Sequence, residues 1–159
     1  MLLAPSLQQL PAVSGTTPPA RSVDYLRISV TDRCNERCLY CLPENFSDWT
    51  PREDVLSYEE ILAIVGVAVE RGFKHFRVTG GEPLLRRDIC DFLRDLIQTP
   101  GVKSVQLSTN GTRLPELAEA LHQSGLRHLN ISLDALDPDR YRAITHGEVA
   151  PVLEGIRRA

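Results

Sequence analysis

Four short segments of the chain alternate apolar with polar residues, and each is followed by a stretch in which apolar residues recur every three to four positions. The first period is typical of strands and the second of amphipathic helices. Strands are predicted at residues 24–30, 75–79, 104–108 and 128–133. Helices are predicted from residues 57, 88 and 115, with further helical stretches at 138–144 and 151–159.

This alternation of strand and helix predicts an α/β fold with a parallel sheet and right-handed crossovers. Such a sheet is either doubly wound or an arc of a (β/α) barrel. A complete barrel takes about 200 residues or more, so the four units present make at most half of one. The sequence stops inside the helical stretch 151–159. We therefore expect a truncated partial barrel, with the fourth strand as an exposed edge.

The best-marked helix boundary is the start of the first helix. Ser57 is the predicted N-cap, and Glu60 stands at the position that completes a capping box. Gly72 is the predicted stop, because glycine readily adopts the left-handed conformation that ends many helices.

Composition and charge fit a soluble globular domain. The chain has 159 residues, 42% hydrophobic and 25% charged, with a formal net charge of −3. The slight acidity argues against nucleic-acid binding, and no apolar run is long enough for a membrane span. Residues 1–22 are rich in Pro, Ser, Thr and Ala and lack the features of a signal peptide. We expect a flexible tail at 1–22, a core domain at 23–159 and a cytoplasmic location.

Each predicted strand has one apolar and one polar face. The apolar faces should meet the helices, which leaves the polar faces together on the concave side. That side would carry Arg27, Arg77, Ser108, Asn130 and Ser132. Two arginines directed at one cavity fit an anionic group such as a phosphate. The alternative is that this face of an open sheet simply contacts solvent.

Three cysteines at C-x3-C-x2-C spacing, Cys34, Cys38 and Cys41, follow the first strand directly. Four thiolates would saturate a [4Fe–4S] cluster, whereas three leave one iron open to bind a further ligand. A structural zinc site usually takes four ligands, and no histidine lies near the cysteines in sequence. Three cysteines also cannot all be paired in disulfides with one another. The fourth cysteine, Cys90, is predicted to be a small buried residue.

The turn Gly80-Gly81-Glu82-Pro83 follows the second strand. Adjacent glycines allow the backbone to come close to a ligand, and ligands of parallel α/β folds bind at such strand ends. The turn and the cysteines are therefore predicted at the same end of the sheet.

These motifs resemble the radical S-adenosylmethionine (SAM) superfamily, whose hallmark is C-x3-C-x-aromatic-C with Tyr40 here at the aromatic position. Within it, four stretches are similar to the GTP 3′,8-cyclase family of molybdenum cofactor biosynthesis. They are residues 26–35, 77–86, 107–111 and 130–136.

The resemblance implies that Cys34, Cys38 and Cys41 hold a [4Fe–4S] cluster whose open iron is chelated by SAM. One electron would then split SAM into methionine and a 5′-deoxyadenosyl radical. The positions that match the family's SAM contacts are Tyr40, Gly81 and Ser132.

The resemblance also implies that GTP is the substrate, converted to (8S)-3′,8-cyclo-7,8-dihydroguanosine 5′-triphosphate. Arg27, Arg77 and Ser108 match positions that contact GTP, although Ser108 stands where the family typically has threonine. Glu36 is a second departure, because this position beside the cluster is often apolar. The implied partners are GTP and a flavodoxin-like electron donor, and a homodimer is expected for the complete enzyme. The alternatives are another radical SAM enzyme, such as a peptide-modifying one, or a non-catalytic metal-binding remnant.

Overall fold

The computed structural model describes residues 23–41, 43 and 45–159. The predicted tail at 1–22 lies outside the described residues. The strands are β1 (Tyr25–Ser29), β2 (His75–Thr79), β3 (Ser104–Thr109) and β4 (Leu129–Ile131). The α-helices are α1 (Tyr58–Glu70), α2 (Ile89–Gln98), α3 (Leu114–Gln123), α4 (Pro138–Thr145) and α5 (Val149–Arg158). Two 3-10 helices lie at Arg52–Asp54 and Pro83–Leu85.

The four strands form one parallel sheet in the order β1-β2-β3-β4. The predicted α/β class with parallel strands is confirmed, and the sequential order is that of an arc of a (β/α) barrel. β2 has the predicted bounds, whereas β4 is three residues long instead of six. β4 pairs only with β3 among the described strands, and backbone pairing on one side supports a shorter strand.

The capping box of α1 is confirmed. Ser57 Oγ accepts a hydrogen bond from Glu60 N at 3.2 Å, and Ser57 N donates to Glu60 Oε2 at 2.7 Å. Beyond the helix, Gly72 has φ +98°, the left-handed conformation expected of a glycine stop.

The main core lies between the sheet and the helices. The inward residues of β2 and β3 are at most 5% exposed, and they pack against the apolar faces of α1 and α2. Cys90 is half-buried and packs against this core, so it is less enclosed than predicted. A second, smaller cluster is built on Tyr141, Val149 and Val152. It fixes α4 and α5 below the carboxyl end of β4.

In the described part of the chain, none of the helices is both long and apolar enough to cross a membrane.

Candidate active site

The cysteine loop, residues 31–41, leaves the carboxyl end of β1 and is tied to the last turn of α4. Arg37 N donates to Thr145 O and Leu39 N donates to Ile144 O, both at 2.9 Å. These two backbone hydrogen bonds fix the chain on either side of Cys38, the second of the three cysteines. The second cluster of the core, which holds α4, therefore also supports the cysteine loop.

The Gly-Gly turn packs directly against the cysteine loop. Gly81 N donates to Thr31 O at 2.6 Å, and Glu82 N donates to Arg33 O at 2.7 Å. A Cβ atom on Gly80 would overlap the carbonyl oxygen of Thr31, and one on Gly81 would overlap that of Arg33. The close approach that the glycines allow is therefore made to the backbone of the loop that carries the cysteines.

Glu82 is a buried carboxylic acid that joins this turn to the end of β3. Its side chain has no solvent exposure and accepts hydrogen bonds from Leu84 N at 2.9 Å, Thr109 Oγ1 at 2.8 Å and Asn110 N at 2.7 Å. Burial raises the pKa of Glu82, and the three donors oppose that rise. No role was predicted for Glu82 from the sequence, because two of its three partners lie 27 and 28 residues away.

Asn110, directly after β3, connects Glu82 to the cysteine loop. Its Nδ2 donates to Asn35 Oδ1 at 3.0 Å and lies 4.0 Å from Cys34 Sγ. Its Oδ1 accepts from Thr112 N at 3.1 Å, which fixes the orientation of the amide. Asn110 belongs to the stretch 107–111 that is similar to the cyclase family, but no role was predicted for its side chain.

The chemistry around the thiols fits an iron–sulfur cluster. Cys34 accepts a hydrogen bond from the backbone N–H of Glu36, and burial raises the pKa of both Cys34 and Cys38. Thiolates in such surroundings need positive charge, which a metal cluster supplies, and N–H groups directed at cluster sulfurs tune its potential. Cys41 is exposed. Within the described residues, no three His, Cys, Asp or Glu side chains form a group that could hold a single metal ion.

Glu36 is buried, although it carries a carboxyl group beside the cysteines. It is 4% exposed, and Glu36 Oε1 accepts a hydrogen bond from Tyr141 Oη at 2.7 Å. Burial raises the pKa of Glu36, and the hydrogen bond from Tyr141 opposes that rise. The sequence marked this position as unusual, and the structure supplies a partner on α4 that accommodates it.

Tyr40 extends from the cysteine loop to the carboxyl end of β4. Its hydroxyl lies 3.0 Å from both carboxylate oxygens of Asp134, two residues beyond the predicted SAM contact Ser132. Burial and the hydrogen bond to Asp134 raise the pKa of Tyr40. Ser132 N donates to Thr109 O at 2.9 Å, which keeps this segment beside β3 after β4 has ended. The loop thus spans the site from β1 to β4.

The two arginines of the polar face are neighbours. Arg27 and Arg77 are Cα partners in the register of β1 and β2, so their side chains leave the same face. Arg77 pairs in turn with Gln106, and its Nε donates to Gln106 Oε1 at 3.1 Å. The Arg77 guanidinium also lies 5.7 Å from the centroid of the Tyr25 ring. A half-buried and an exposed cation therefore stand side by side on this face.

Ser108 lies on the same face, nearer the cysteine loop. It is the register partner of Asn130 across β3 and β4. The residues predicted on the concave side thus lie on neighbouring strands, as expected from the alternation of apolar and polar residues along each strand. The burial is consistent with that assignment, because Val105 and Leu107 on the opposite face of β3 are 5% and 0% exposed while Ser108 is half-buried.

Comparison with curated proteins gives relatives over most of the chain. The GTP 3′,8-cyclase of Petrotoga mobilis is 46% identical over 140 residues, covering 87% of this chain and 43% of the relative. That of Thermodesulfovibrio yellowstonii is 47% identical over 141 residues, covering 87% and 44%. That of Listeria welshimeri is 49% identical over 137 residues, covering 86% and 41%. The chain thus spans less than half the length of these relatives.

Solved structures and family models agree with the fold. Streptococcus suis SuiB, with bound precursor peptide, aligns with a TM-score of 0.64 at 18% identity, covering 83% of this chain and 29% of that one. SuiB with bound S-adenosylmethionine also gives 0.64, at 19% identity, covering 85% and 30%. The family model described as the radical SAM superfamily matches residues 28–159. The predicted resemblance is confirmed: this chain belongs to the radical SAM superfamily.

Proposed function

We propose that the chain carries the SAM-cleaving half of a GTP 3′,8-cyclase. The observation that carries this proposal is the 46–49% identity, across 86–87% of the chain, to three proteins with that name. The whole reaction, from GTP to its 3′,8-cyclised product in molybdenum cofactor biosynthesis, belongs to the proposal. So do the one-electron donor and the homodimer expected of the complete enzyme.

Cys34, Cys38 and Cys41 would hold the [4Fe–4S] cluster at the end of β1. When bound, the cluster supplies the electron that cleaves SAM into methionine and a 5′-deoxyadenosyl radical. Tyr40, Gly81 and Ser132 are proposed to bind SAM. The hydrogen bond from Tyr40 to Asp134 supports this, because it brings the aromatic side chain of the loop to the end of β4.

Arg27 and Arg77 are proposed to bind the anionic part of GTP. Their adjacent register positions allow two guanidinium groups to contact one phosphate chain, and arginine is well suited to bidentate phosphate binding. Gln106 would hold the Arg77 guanidinium in place through its side-chain oxygen. Ser108, nearer the cysteine loop, would contact the nucleoside end of the same ligand.

The test is nucleotide-dependent formation of 5′-deoxyadenosine. The chain, and a chimera in which residues 23–159 continue into the remaining sequence of the Listeria welshimeri relative, would be reconstituted anaerobically and reduced with dithionite in the presence of SAM. We expect more 5′-deoxyadenosine with GTP than with ATP or without nucleotide, and cyclised product from the chimera. Arg77→Ala should lower the GTP-dependent rate about tenfold, the loss expected for one charged hydrogen bond.

The matched control is Arg94→Ala, which removes a half-buried arginine paired with Asp91 on α2. It should leave the rates unchanged. Cleavage of SAM that is indifferent to GTP in both proteins would contradict the cyclase proposal and favour a radical SAM enzyme with another substrate.

A further inference from the structure

Four arginines line a cavity of about 440 Å³ beside the cysteine loop. The cavity is formed by the start of the loop, the 3-10 helix at Arg52–Asp54 and the chain that follows Pro83–Leu85. We call it the arginine cavity. Its lining residues are Val30, Thr31, Arg33, Arg52, Val55, Leu85, Arg86 and Arg87, none of which is acidic. This cavity takes no part in the SAM and GTP contacts proposed above.

The residues that line the arginine cavity include no carboxylate, while acidic residues directly flank three of its four arginines in the sequence. The side chains of Arg33, Arg52 and Arg87 make no hydrogen bond or ion pair with any described residue. Asp32, in the adjoining cavity, is turned inward, since its Oδ1 is buried without a partner and its Oδ2 accepts from Thr50 N at 2.6 Å. Of the carboxylates lining the two cavities, only Asp54 faces solvent.

One of the cations is fixed in place. Arg86 donates to Val30 O at 2.7 Å and to Leu56 O at 2.6 Å, and its guanidinium lies 4.1 Å from the centroid of the Tyr58 ring. All three of these partners are neutral, so none of them forms an ion pair with Arg86, and the nearby carboxylate that interacts with its charge is that of Glu59 at the start of α1. A preorganised cation surrounded by three exposed ones attracts an anionic partner and speeds its association.

The arginine cavity adjoins the proposed cluster through the backbone. Arg33 directly precedes Cys34, and Arg33 O accepts the hydrogen bond from Glu82 N. An acidic protein docked over these arginines would therefore lie next to the cysteines. Cleavage of SAM takes one electron from outside, so the position of this surface matters for the proposed chemistry.

We propose that the arginine cavity is the docking surface for an acidic one-electron flavoprotein that reduces the cluster. This inference rests on the proposed function. In the transfer, the donor's flavin hydroquinone anion loses one electron and becomes the neutral semiquinone. That electron lowers the charge of the [4Fe–4S] cluster from 2+ to 1+, and no proton or further reactant is needed.

The test compares two routes of reduction in the reconstituted chain. The variant Arg52→Glu/Arg87→Glu reverses two exposed charges of the cavity and leaves the cysteine loop intact. The matched control, Lys74→Glu/Lys103→Glu, makes the same charge change at the opposite end of the sheet, where both lysines are exposed and precede strands. The probe is a reduced bacterial flavodoxin, and dithionite serves as the small-molecule reductant.

We expect cluster bleaching by flavodoxin to be about tenfold slower in the arginine variant, and to slow in wild type as salt is raised. Bleaching by dithionite should be the same in wild type, variant and control. Equal flavodoxin rates in all three proteins would overturn the proposal. A cluster-loaded wild type that neither flavodoxin nor dithionite can reduce would instead refute the proposed function.

A direct binding measurement separates the test of the docking surface from the test of the proposed function. The dissociation constant for flavodoxin, measured without turnover, should rise about tenfold in the arginine variant and stay unchanged in the lysine control. Unchanged flavodoxin binding with loss of inorganic pyrophosphate binding would assign the arginine cavity to a small anion and refute the docking surface.

Discussion

Glu82 offers the sharpest test of how the site is held together. Glu82→Ala leaves three donors without an acceptor: Leu84 N, Thr109 Oγ1 and Asn110 N, now 2.7–2.9 Å from the carboxylate. Each orphaned buried donor costs about 1 kcal/mol or more. We therefore expect the free energy of unfolding to fall by about 3 kcal/mol, a large share of the 5–15 kcal/mol typical of a domain.

The assay is urea unfolding at pH 7, followed by far-ultraviolet circular dichroism. Glu70→Ala is the matched control, since Glu70 is exposed at the end of α1 and a surface change there should stay within about 0.5 kcal/mol. A loss below about 1 kcal/mol for Glu82→Ala would refute the reasoning, because it would mean that the three donors find water or that the carboxylate contributes no net stability.

Three further predictions concern the same framework. Gly81→Ala should abolish cluster loading, because its Cβ would overlap the backbone of the cysteine loop, whereas Gly66→Ala has open space and should load iron like wild type. The pKa of Glu82 is raised in the folded chain, so protonation of its carboxyl group adds to the free energy of unfolding at low pH, and this proton-linked part is lost as pH rises through that pKa. The three donors still need Glu82 as their acceptor at either pH. In urea unfolding, the free energy of unfolding of Glu82→Gln relative to wild type should therefore be higher at pH 8 than at pH 5. The same difference between the two proteins at both pH values would contradict the assignment. Tyr141→Phe should cost about 1–2 kcal/mol in the same assay, since the buried Glu36 loses its donor; no change would show that this hydrogen bond is not made.

Local signals predicted much of the fold from the sequence. The capping box at Ser57 and the bounds of β2 depend on residues within a few positions of one another, and both are confirmed. β4 was predicted too long, because alternation continues past Ile131 although backbone pairing does not. Cys90 was predicted to be buried from its amphipathic surroundings, yet it lies at the edge of the main core.

The connections within the site could not be read from local patterns. Glu82 reaches partners on β3 only because the parallel register brings the ends of β2 and β3 together. In the same way, Glu36 is accommodated by Tyr141, 105 residues further along the chain. The Gly-Gly turn was predicted to lie at the same end of the sheet as the cysteines and to let the backbone approach a ligand, whereas the close approach in the structure is to the backbone of the cysteine loop itself.

The most direct test of the central claim is the iron and sulfide content of the anaerobically reconstituted chain, with electron paramagnetic resonance after reduction. We predict about four irons and four sulfides per chain, with a signal that changes when SAM is added. Cys34→Ala should lose the cluster, and Cys90→Ala, on α2, should retain it. A Cys34→Ala protein with full iron content, or a wild type that binds zinc in place of iron, would contradict the assignment of this site.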